Sequence, residues 1–593
     1  MPSEHSKSAM PAVPLVLLFA VIVIAFGTVT QLRVLEDVFD RAGNDDIMRM
    51  LSVRSWLAGQ GWFDMTQYGF LSPDGISLHW SRYVDAGLGA TVAAVSIFTS
   101  TDQAEQWAGT IWPKALLLGQ ILVVAFGTRR LLGDAAAVFS VICILLWPVF
   151  AQTYFAVGAV DHHNVQAFVI TIAAIAALME GRPLFWGAIS GVAASFSLAV
   201  GLETLLFISA LGVMLVVRAA IGADTARWRL TGFCLAILAG AFVFYAGQTP
   251  ITGWMRTACD QLSPPFLAVA TVGAAAGLSI WLLPQWLRRP LPQLGLTAAV
   301  ATLGLIAIGP LLAPCLAPPY AHLPEHIQEM IGRDITEALP GLEFARRNLL
   351  AFNNVMTGAM LTVVLATGFW WRLPDVPARR TVGQALILAW LGLAACALQI
   401  RQVVLLASVV PLLAGFVLAE IWRWRQISRS SGSSVALAVI ALLTLFPAAL
   451  GPMIADIFAR EGAVRVARTG AQDASCRELA TLAQLNSLPA SRVLTPMNLG
   501  PRLVMATHHI GLAAPYHRSA RAMINGHNPF VGDAAGLAEV LGSEGAQYLV
   551  VCNGSVYGHR ESAGSLLARG VDLPGLVRVD LGAGDLLVYE ITL

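Results

Sequence analysis

The sequence predicts a polytopic bundle of about thirteen apolar helices, carrying a small α/β domain at its C-terminus. Three observations carry that prediction. Of 593 residues, 56% are hydrophobic and only 12% charged, whereas charged residues make up about a quarter of a soluble domain. Apolar runs close to the roughly 20 residues that span a bilayer recur along the first 456 positions. The basic residues between those runs fall on one side of the bundle, as the positive-inside rule requires.

The first run, about 14–32, has no small-residue cleavage site followed by a soluble chain, so it reads as a spanning helix. The polar stretch from Arg33 to about Asp85 is too charged for lipid. The run 86–98 is short for a span and is expected at the interface. Spans are then expected at about 109–128, 135–157, 164–180, 184–200, 203–217, 230–249, 265–285, 293–313, 351–371, 381–399, 402–421 and 434–456. Reading 184–200 and 203–217 as one long helix would reverse the side of everything after it. With two helices, Arg129-Arg130, Arg182, Arg218 with Arg227 and Arg229, Arg288-Arg289, Arg372 with Arg379-Arg380, and Arg423-Arg425-Arg429 share the cytoplasmic side. The opposite side receives external loops 33–108 and 314–350 and the C-terminal domain.

Residues 457–593 read as a separate α/β domain. Strand-like runs at Arg492–Leu494, Tyr548–Cys552 and Asp585–Thr592 alternate with helical patterns at Cys476–Leu485 and Gly536–Leu541. Seven cysteines show neither CxxC nor zinc spacing. Cys143, Cys234 and Cys396 lie in apolar runs as inert filler, while Cys476 and Cys552 are free to pair in an oxidising compartment. The net charge of +1 says nothing about a polyanionic partner, and the sequence shows no nucleic-acid motif.

Four constellations fall on the external side. Asn44-Asp45-Asp46 sits in the first external loop, and Asp161-His162-His163 just precedes a span. Each alone is explained by helix capping. Two acid-bearing clusters on one face, where lipid cannot solvate them, favour a hard divalent cation, Mg²⁺ or Mn²⁺; zinc lacks a completing His/Cys set. Asp334-Ile335-Thr336-Glu337-Ala338-Leu339-Pro340 lies in the loop 314–350, where an amphipathic helix accounts for most of its charges. Arg401 stands at the external end of a span. It either snorkels there or holds a phosphate beside the metal. Together they suit glycosyl transfer from a polyprenyl carrier: cation and arginine stabilise a departing lipid phosphate, and a carboxylate orients or deprotonates the acceptor. Glu203, at the outer end of a span, either lines the donor path or caps a helix. Lys114, inside a span, either snorkels or helps hold phosphate.

In this order and spacing, these stretches resemble the catalytic subunit of oligosaccharyltransferase and its bacterial and archaeal single-chain relatives, which share the GT-C fold. Asn44-Asp45-Asp46, with Arg54-Ser55-Trp56-Leu57-Ala58-Gly59-Gln60-Gly61 and Pro73-Asp74-Gly75 after it, is similar to the first acidic motif. Register against Arg54 and Gly61 selects Asp45 over Asp46. Asp161-His162-His163 is similar to the archaeal form of the second motif, which implies Asp161 and His163 as metal ligands. Thr336-Glu337-Ala338-Leu339-Pro340 resembles the Ser-Glu-x-x-Pro stretch, implying that Glu337 holds metal or acceptor. Arg401-Gln402-Val403-Val404-Leu405-Leu406-Ala407-Ser408 resembles the span whose arginine contacts donor phosphate. The family's Trp-Trp-Asp-Tyr-Gly is missing; the comparable position is Pro496-Met497-Asn498-Leu499-Gly500-Pro501. Protein N-glycosylation is therefore in question, and a glycan, lipid or other acceptor enters consideration. His508 and Tyr516-His517-Arg518, with Asp46, His162 and Glu203, are candidate acceptor or sugar contacts.

The resemblance implies a bacterial inner-membrane enzyme with its site and C-terminal domain in the periplasm. A second reading keeps the fold but uses a polyprenyl-monophosphate sugar. A transporter for lipid-linked saccharide would instead show polar groups and paired broken helices at mid-membrane, and the informative charges cluster at one face.

Overall fold

The computed structural model describes residues 13–449 apart from 36, 223 and 428–430, and residues 475–592 apart from 583. The expected domain boundary at 456/457, the end of the last span and Arg429 lie outside the described residues.

The helices follow the expected order. Val13–Leu32 (α1) is followed by Asn44–Leu57 (α2) and Arg82–Ser96 (α3), then Thr101–Leu132 (α4), Asp134–Leu146 (α5), His162–Leu178 (α6), Pro183–Val200 (α7), Leu205–Ile221 (α8), Asp224–Gln248 (α9), Pro264–Leu278 (α10) and Pro290–Leu312 (α11). The loop beyond holds Glu325–Asp334 (α12), Gly341–Arg347 (α13) and Leu349–Phe352 (α14). Gly358–Trp370 (α15), Val376–Leu398 (α16), Val403–Leu406 (α17), Val410–Ile427 (α18) and Ser431–Leu445 (α19) complete the bundle. Among the described residues nine helices are long and apolar enough to cross a membrane, a tenth span is the pair 400–406 and 410–426 bent by 60°, and three shorter apolar helices accompany them. Every expected run has its helix. The doubtful pair is two helices, because extended Gly201 and the single turn Leu202–Thr204 interrupt it.

Two differences from the sequence reading matter for the site. Helix α4 begins at Thr101, two turns before its apolar run, since the Ser100 side chain caps it there. The C-terminal domain has a core of its own around Cys476, Leu503, Val550 and Val588, and it shares a second with the first loop. Its buried Leu494, Tyr516, Phe530, Leu549 and Tyr589 form one apolar cluster with Phe39, Met48, Phe70, Trp80 and Leu88 of the first external loop.

The domain's mixed five-stranded sheet has the order Ile510–Gly511 (β4), Arg492–Leu494 (β3), Tyr548–Cys552 (β5), Leu586–Ile591 (β7), Leu576–Val579 (β6), after a small hairpin of Thr66–Gln67 (β1) and Ile76–Ser77 (β2) in the first loop. Strand β3 is parallel to β4 and β5, and β7 antiparallel to β5 and β6. The first loop reaches the edge of this sheet through Phe70, with Leu71 N–H donating to Gly511 O at 2.9 Å and Gly511 N–H to Gly69 O at 3.0 Å. Cys476 and Cys552 are joined as expected. Cys259 and Cys315 form a second disulfide, closing the hairpin of α10 and α11. Cys143, Cys234 and Cys396 are free and buried.

Candidate active site

The site sits where α2 meets the N-terminus of α6. Asp46 makes the junction. Its Oδ2 accepts from Gly43 N–H at 2.8 Å and closes the first turn of α2, while Oδ1 accepts from Val160 N–H at 2.7 Å and Asp161 N–H at 2.8 Å. Capping thus explains Asp46 and leaves Asp45, one position earlier, without a backbone donor among the described residues, its carboxylate beside the Tyr516 hydroxyl. Gly158 lets the chain approach. Its φ is +83°, and a Cβ there would lie 2.2 Å from Val38 O.

Asp161 occupies the N-cap position of α6 without capping it. Its Oδ1 lies 2.6 Å from His162 Nδ1 and 3.5 Å from Arg49 Nη2, and its Oδ2 lies 3.6 Å from His163 Nε2. Burial opposes its charge, but His162, His163 and Arg49 outweigh burial and hold the carboxyl far below the usual carboxylate range. The other ring nitrogen of His162 faces Glu203 Oε1 at 3.3 Å. With a carboxylate at each nitrogen, His162 donates from both and has no lone pair for a cation. That leaves Asp161 and His163 as the metal-competent members of the Asp161–His162–His163 group, whose ligand atoms all lie within 4.8 Å of one another.

Asp45 stands beside this group. Burial first, then the charges of Asp161 and Glu337, push its carboxyl up to about 8. Asp46 is raised to about 6, by burial and Asp161, against its backbone donors. A partly accessible carboxylate in that position is stabilised most directly by a cation. The donor set of two carboxylates and one imidazole fits Mg²⁺ or Mn²⁺. Tyr516 closes the other flank: its hydroxyl donates to Asn44 O at 3.0 Å, and burial together with the Asp45 charge raises the phenol well above its ordinary value.

Glu337 and Arg401 arrive together. Ile400 N–H donates to Leu339 O at 2.8 Å, tying the Thr336–Pro340 stretch to the turn that carries Arg401. Arg401 Nε donates to Gln399 Oε1 at 3.0 Å, and its charge acts on Glu203. Glu203 is held by His162 and by Gln166 Nε2 at 2.9 Å, so it braces the histidine and is not a free wall of a donor path.

Several expected residues go elsewhere. Lys114 Nζ donates to Phe155 O at 2.6 Å and to Gln31 Oε1 at 3.3 Å, satisfying a carbonyl at the end of the π-helical segment 149–154. No described contact joins it to the cluster. His508 Nε2 pairs with Leu488 O at 3.0 Å inside the C-terminal domain. His517 and Arg518 converge on Asp260, which lies in the loop after α9: His517 Nε2 is 2.9 Å from Oδ2, and Arg518 reaches both oxygens at 2.7 and 2.6 Å. His79 joins them, with its ring centroid 5.0 Å from that of His517.

Sequence reasoning missed Arg49, Arg82 and Asp85. They form a fully buried chain of ion pairs: Arg49 Nη1 to Asp85 Oδ1 at 2.9 Å and Arg82 Nη1 to Asp85 Oδ2 at 2.9 Å. Arg49 also stacks on Trp80 at 4.2 Å and turns toward Asp161. The available signal was spacing, since Arg49 follows Asp45 by four residues on one face of α2.

Carboxylates and imidazoles over a bundle of apolar helices, roofed by a small α/β domain, belong to the GT-C architecture. Comparison with solved structures makes the likeness specific. The oligosaccharyltransferase of Archaeoglobus fulgidus in its apo form superposes with a TM-score of 0.66 at 15% identity, covering 92% of this chain and 70% of that one. The same enzyme with an inhibitory peptide and a dolichol-phosphate gives 0.64 at 16% identity over 91% and 69% of the two chains. Its complex with Zn and sulfate gives 0.62 at 16% identity over 97% and 73%. The chain therefore has the oligosaccharyltransferase-like GT-C fold. No protein-family profile and no curated protein matches the sequence.

Proposed function

We propose that the protein is a metal-dependent membrane glycosyltransferase that moves a sugar or oligosaccharide from a polyprenyl-(pyro)phosphate donor to an acceptor at the outer membrane face. The observation that carries this reading is the division of labour between adjacent acids. Asp46 is consumed by backbone N–H groups, while the Asp45 carboxylate stands beside Asp161 with the Tyr516 hydroxyl as its neighbour. The similar Archaeoglobus structures, which hold a dolichol-phosphate in one case and Zn with sulfate in another, support the donor class and the metal.

In this reading Asp45, Asp161 and His163 hold Mg²⁺ or Mn²⁺, which when bound supplies positive charge to the leaving phosphate. Arg401 pairs with that phosphate and does not need the cation for its own charge. Glu337, tied to the same turn, positions the acceptor and takes its proton. Arg49 and His162 fix the Asp161 carboxylate, so that its oxygens do not rotate away. The donor's hydrocarbon tail remains among the apolar helices.

The site face is periplasmic in this reading, in a bacterial inner membrane. Two disulfides on that side support an oxidising compartment, and a C-terminal alkaline phosphatase fusion is expected to be active; an inactive fusion refutes the topology. The acceptor is a glycan or lipid rather than an Asn-x-Ser/Thr protein, because the 496–501 stretch offers no aromatic or acidic side chain to read one. The purified protein, incubated with candidate polyprenyl donors and Mn²⁺, should transfer sugar. Asp45→Ala and Glu337→Ala should slow it greatly with unchanged folding. Undiminished turnover in both variants refutes these assignments, and Arg401→Gln should cost about 100- to 1000-fold, the usual loss when a charge-stabilising group is removed.

A further inference from the structure

At the far end of the bundle four arginines surround one cavity that the proposed reaction does not use. Arg218 on α8, Arg229 on α9, and Arg379 and Arg380 on α16 line a space of about 1210 Å³ whose remaining walls are apolar or neutral. Each of these helices has its other end at the candidate site. Helix α8 follows directly on Glu203, and α9 ends where Tyr83 OH donates to Phe244 O. From Arg380, α16 runs to Arg401 over about 30 Å at 1.5 Å per residue. The cavity thus belongs to the opposite leaflet.

Its charge is mostly positive. Glu180, just past α6, is an acid whose charge reaches Arg218 and Arg229, but no carboxylate lines the cavity, and among the described residues no ion pair joins any of the four arginines to an acid. Two of them converge on one backbone oxygen: Arg218 Nη1 and Arg229 Nη1 donate to Ala177 O at 3.2 and 3.0 Å. Capping the last turn of α6 would explain one guanidinium. Arg218 Nη1 also reaches Gln384 Oε1 at 3.4 Å, yet one carbonyl and one amide oxygen leave most of the ten N–H groups (five on each) without a protein acceptor among the described residues. Arg229 is only 3% exposed, and its Nε has no hydrogen-bond partner. An orphaned, buried, charged donor is costly unless an anion meets it.

The rest of the cavity says what carries that anion. Val213 is 63% and Ile387 60% exposed on its wall, facing the bilayer. Trp370, whose indole donates to Arg379 O at 2.7 Å, and Trp390 stand at the rim, as interfacial tryptophans do. An opening to lipid, apolar walls and a basic floor suit a phosphate attached to acyl chains, not a free phosphate ion.

We propose that this cavity binds one anionic phospholipid of the leaflet opposite the candidate site, its phosphate between Arg218, Arg229 and Arg380 and its chains along α8 and α16. The test uses the full-length protein, delipidated in a neutral detergent and titrated with phosphatidylglycerol or phosphatidylcholine, with bound lipid counted by native mass spectrometry. Phosphatidylglycerol should bind and raise the melting temperature while phosphatidylcholine does not. Arg379→Gln and Arg380→Gln, at accessible positions that folding tolerates, should each weaken binding about fivefold, the factor equivalent to about 1 kcal/mol per basic residue at an anionic lipid surface. Arg218→Gln, nearer the orphaned donor, should weaken it at least as much. Equal binding of the two lipids, or wild-type binding by all three variants, overturns the proposal. So does an equal thermal shift from glycerol phosphate at the same concentration, which would make this a site for a free anion.

Discussion

Replacing Asp45 by asparagine is expected to stabilise the metal-free protein and to remove its response to divalent cations. The folded state raises this carboxyl from 3.8 to about 8. A raised acid favours the unfolded chain once it ionises: its penalty is absent below pH 3.8, grows as pH rises, and is complete above about 8. At pH 7 the gap of about 3 pH units corresponds to about 4 kcal/mol. Solvent reaching this partly accessible group screens it to about 2 kcal/mol. Asparagine carries no charge to penalise. In wild type, a cation at a hundredfold excess over its dissociation constant adds about 2.7 kcal/mol, and the variant loses most of that. Asp46→Ala serves as the contrast. It orphans the N–H groups of Val160 and Asp161, which costs about 1–3 kcal/mol each, offset in part because Asp46 also carries a disfavoured charge. Thermal unfolding followed by tryptophan fluorescence, in EDTA and in Mn²⁺ at pH 7, reads both effects. An Asp45→Asn protein that melts below wild type in EDTA, or that gains as much from Mn²⁺, would refute the division of roles between the two acids.

Gly158→Ala should uncouple the two motifs, because its Cβ meets Val38 O at 2.2 Å and φ is +83°; a large loss of both transfer and melting temperature is expected, and a wild-type melt would count against it. Gly201→Ala drives a methyl to 2.3 Å from Glu203 Oε2, so transfer should fall more than stability does, measured by initial rate beside the melt. His79 is pushed down to about 3, chiefly by burial, so between pH 6.5 and 3 the unfolded chain binds a proton that the folded one does not. Stability should therefore fall as pH drops through that window and fall less in His79→Gln, as melts from pH 7 to 4 would reveal. Reducing Cys476–Cys552 or replacing both by serine should cost about 2–5 kcal/mol, visible as a lower melting temperature of the C-terminal domain; equal melts would mean the bridge is dispensable.

How much was legible in the sequence depends on the distance over which each signal acts. The helices were legible because lipid imposes a local rule on every stretch of about 20 residues. That Asp45 and Asp161 gather at one place was legible, because acids at the ends of apolar runs stand out without knowledge of their partners. Arg49 was hidden, since a lone arginine on an external helix reads as solvated until Asp85, Asp161 and Trp80 are seen around it. The partner of Lys114 was hidden as well: it is a backbone carbonyl, Phe155 O, which no side-chain pattern records. Cys259 and Cys315 lie 56 residues apart in sequence, on either side of a helical hairpin, and only the closing of that hairpin brings them together.

The 496–501 stretch shows how a segment at a conserved-looking place in the fold takes on a different duty. Met497 packs with Ile327 and Met330 of α12 and with Met523. A Cβ on Gly526 would lie 2.6 Å from the Met497 backbone, so the contact is close on both sides. Asn498, the segment's one exposed polar side chain, accepts from Asn44 Nδ2 at 3.0 Å. Arg502, just beyond, donates to Phe39 O at 3.2 Å and Ala42 O at 2.5 Å. Each side chain therefore fixes a part of the site: α12 on one side, the residue before Asp45 on the other, and the loop leading into α2 beneath. A segment so engaged holds the loop of Glu337 against the loop of Asp45 and has no side chain left to read an acceptor. In the proposed reaction the acceptor is then recognised by surfaces other than the 496–501 stretch.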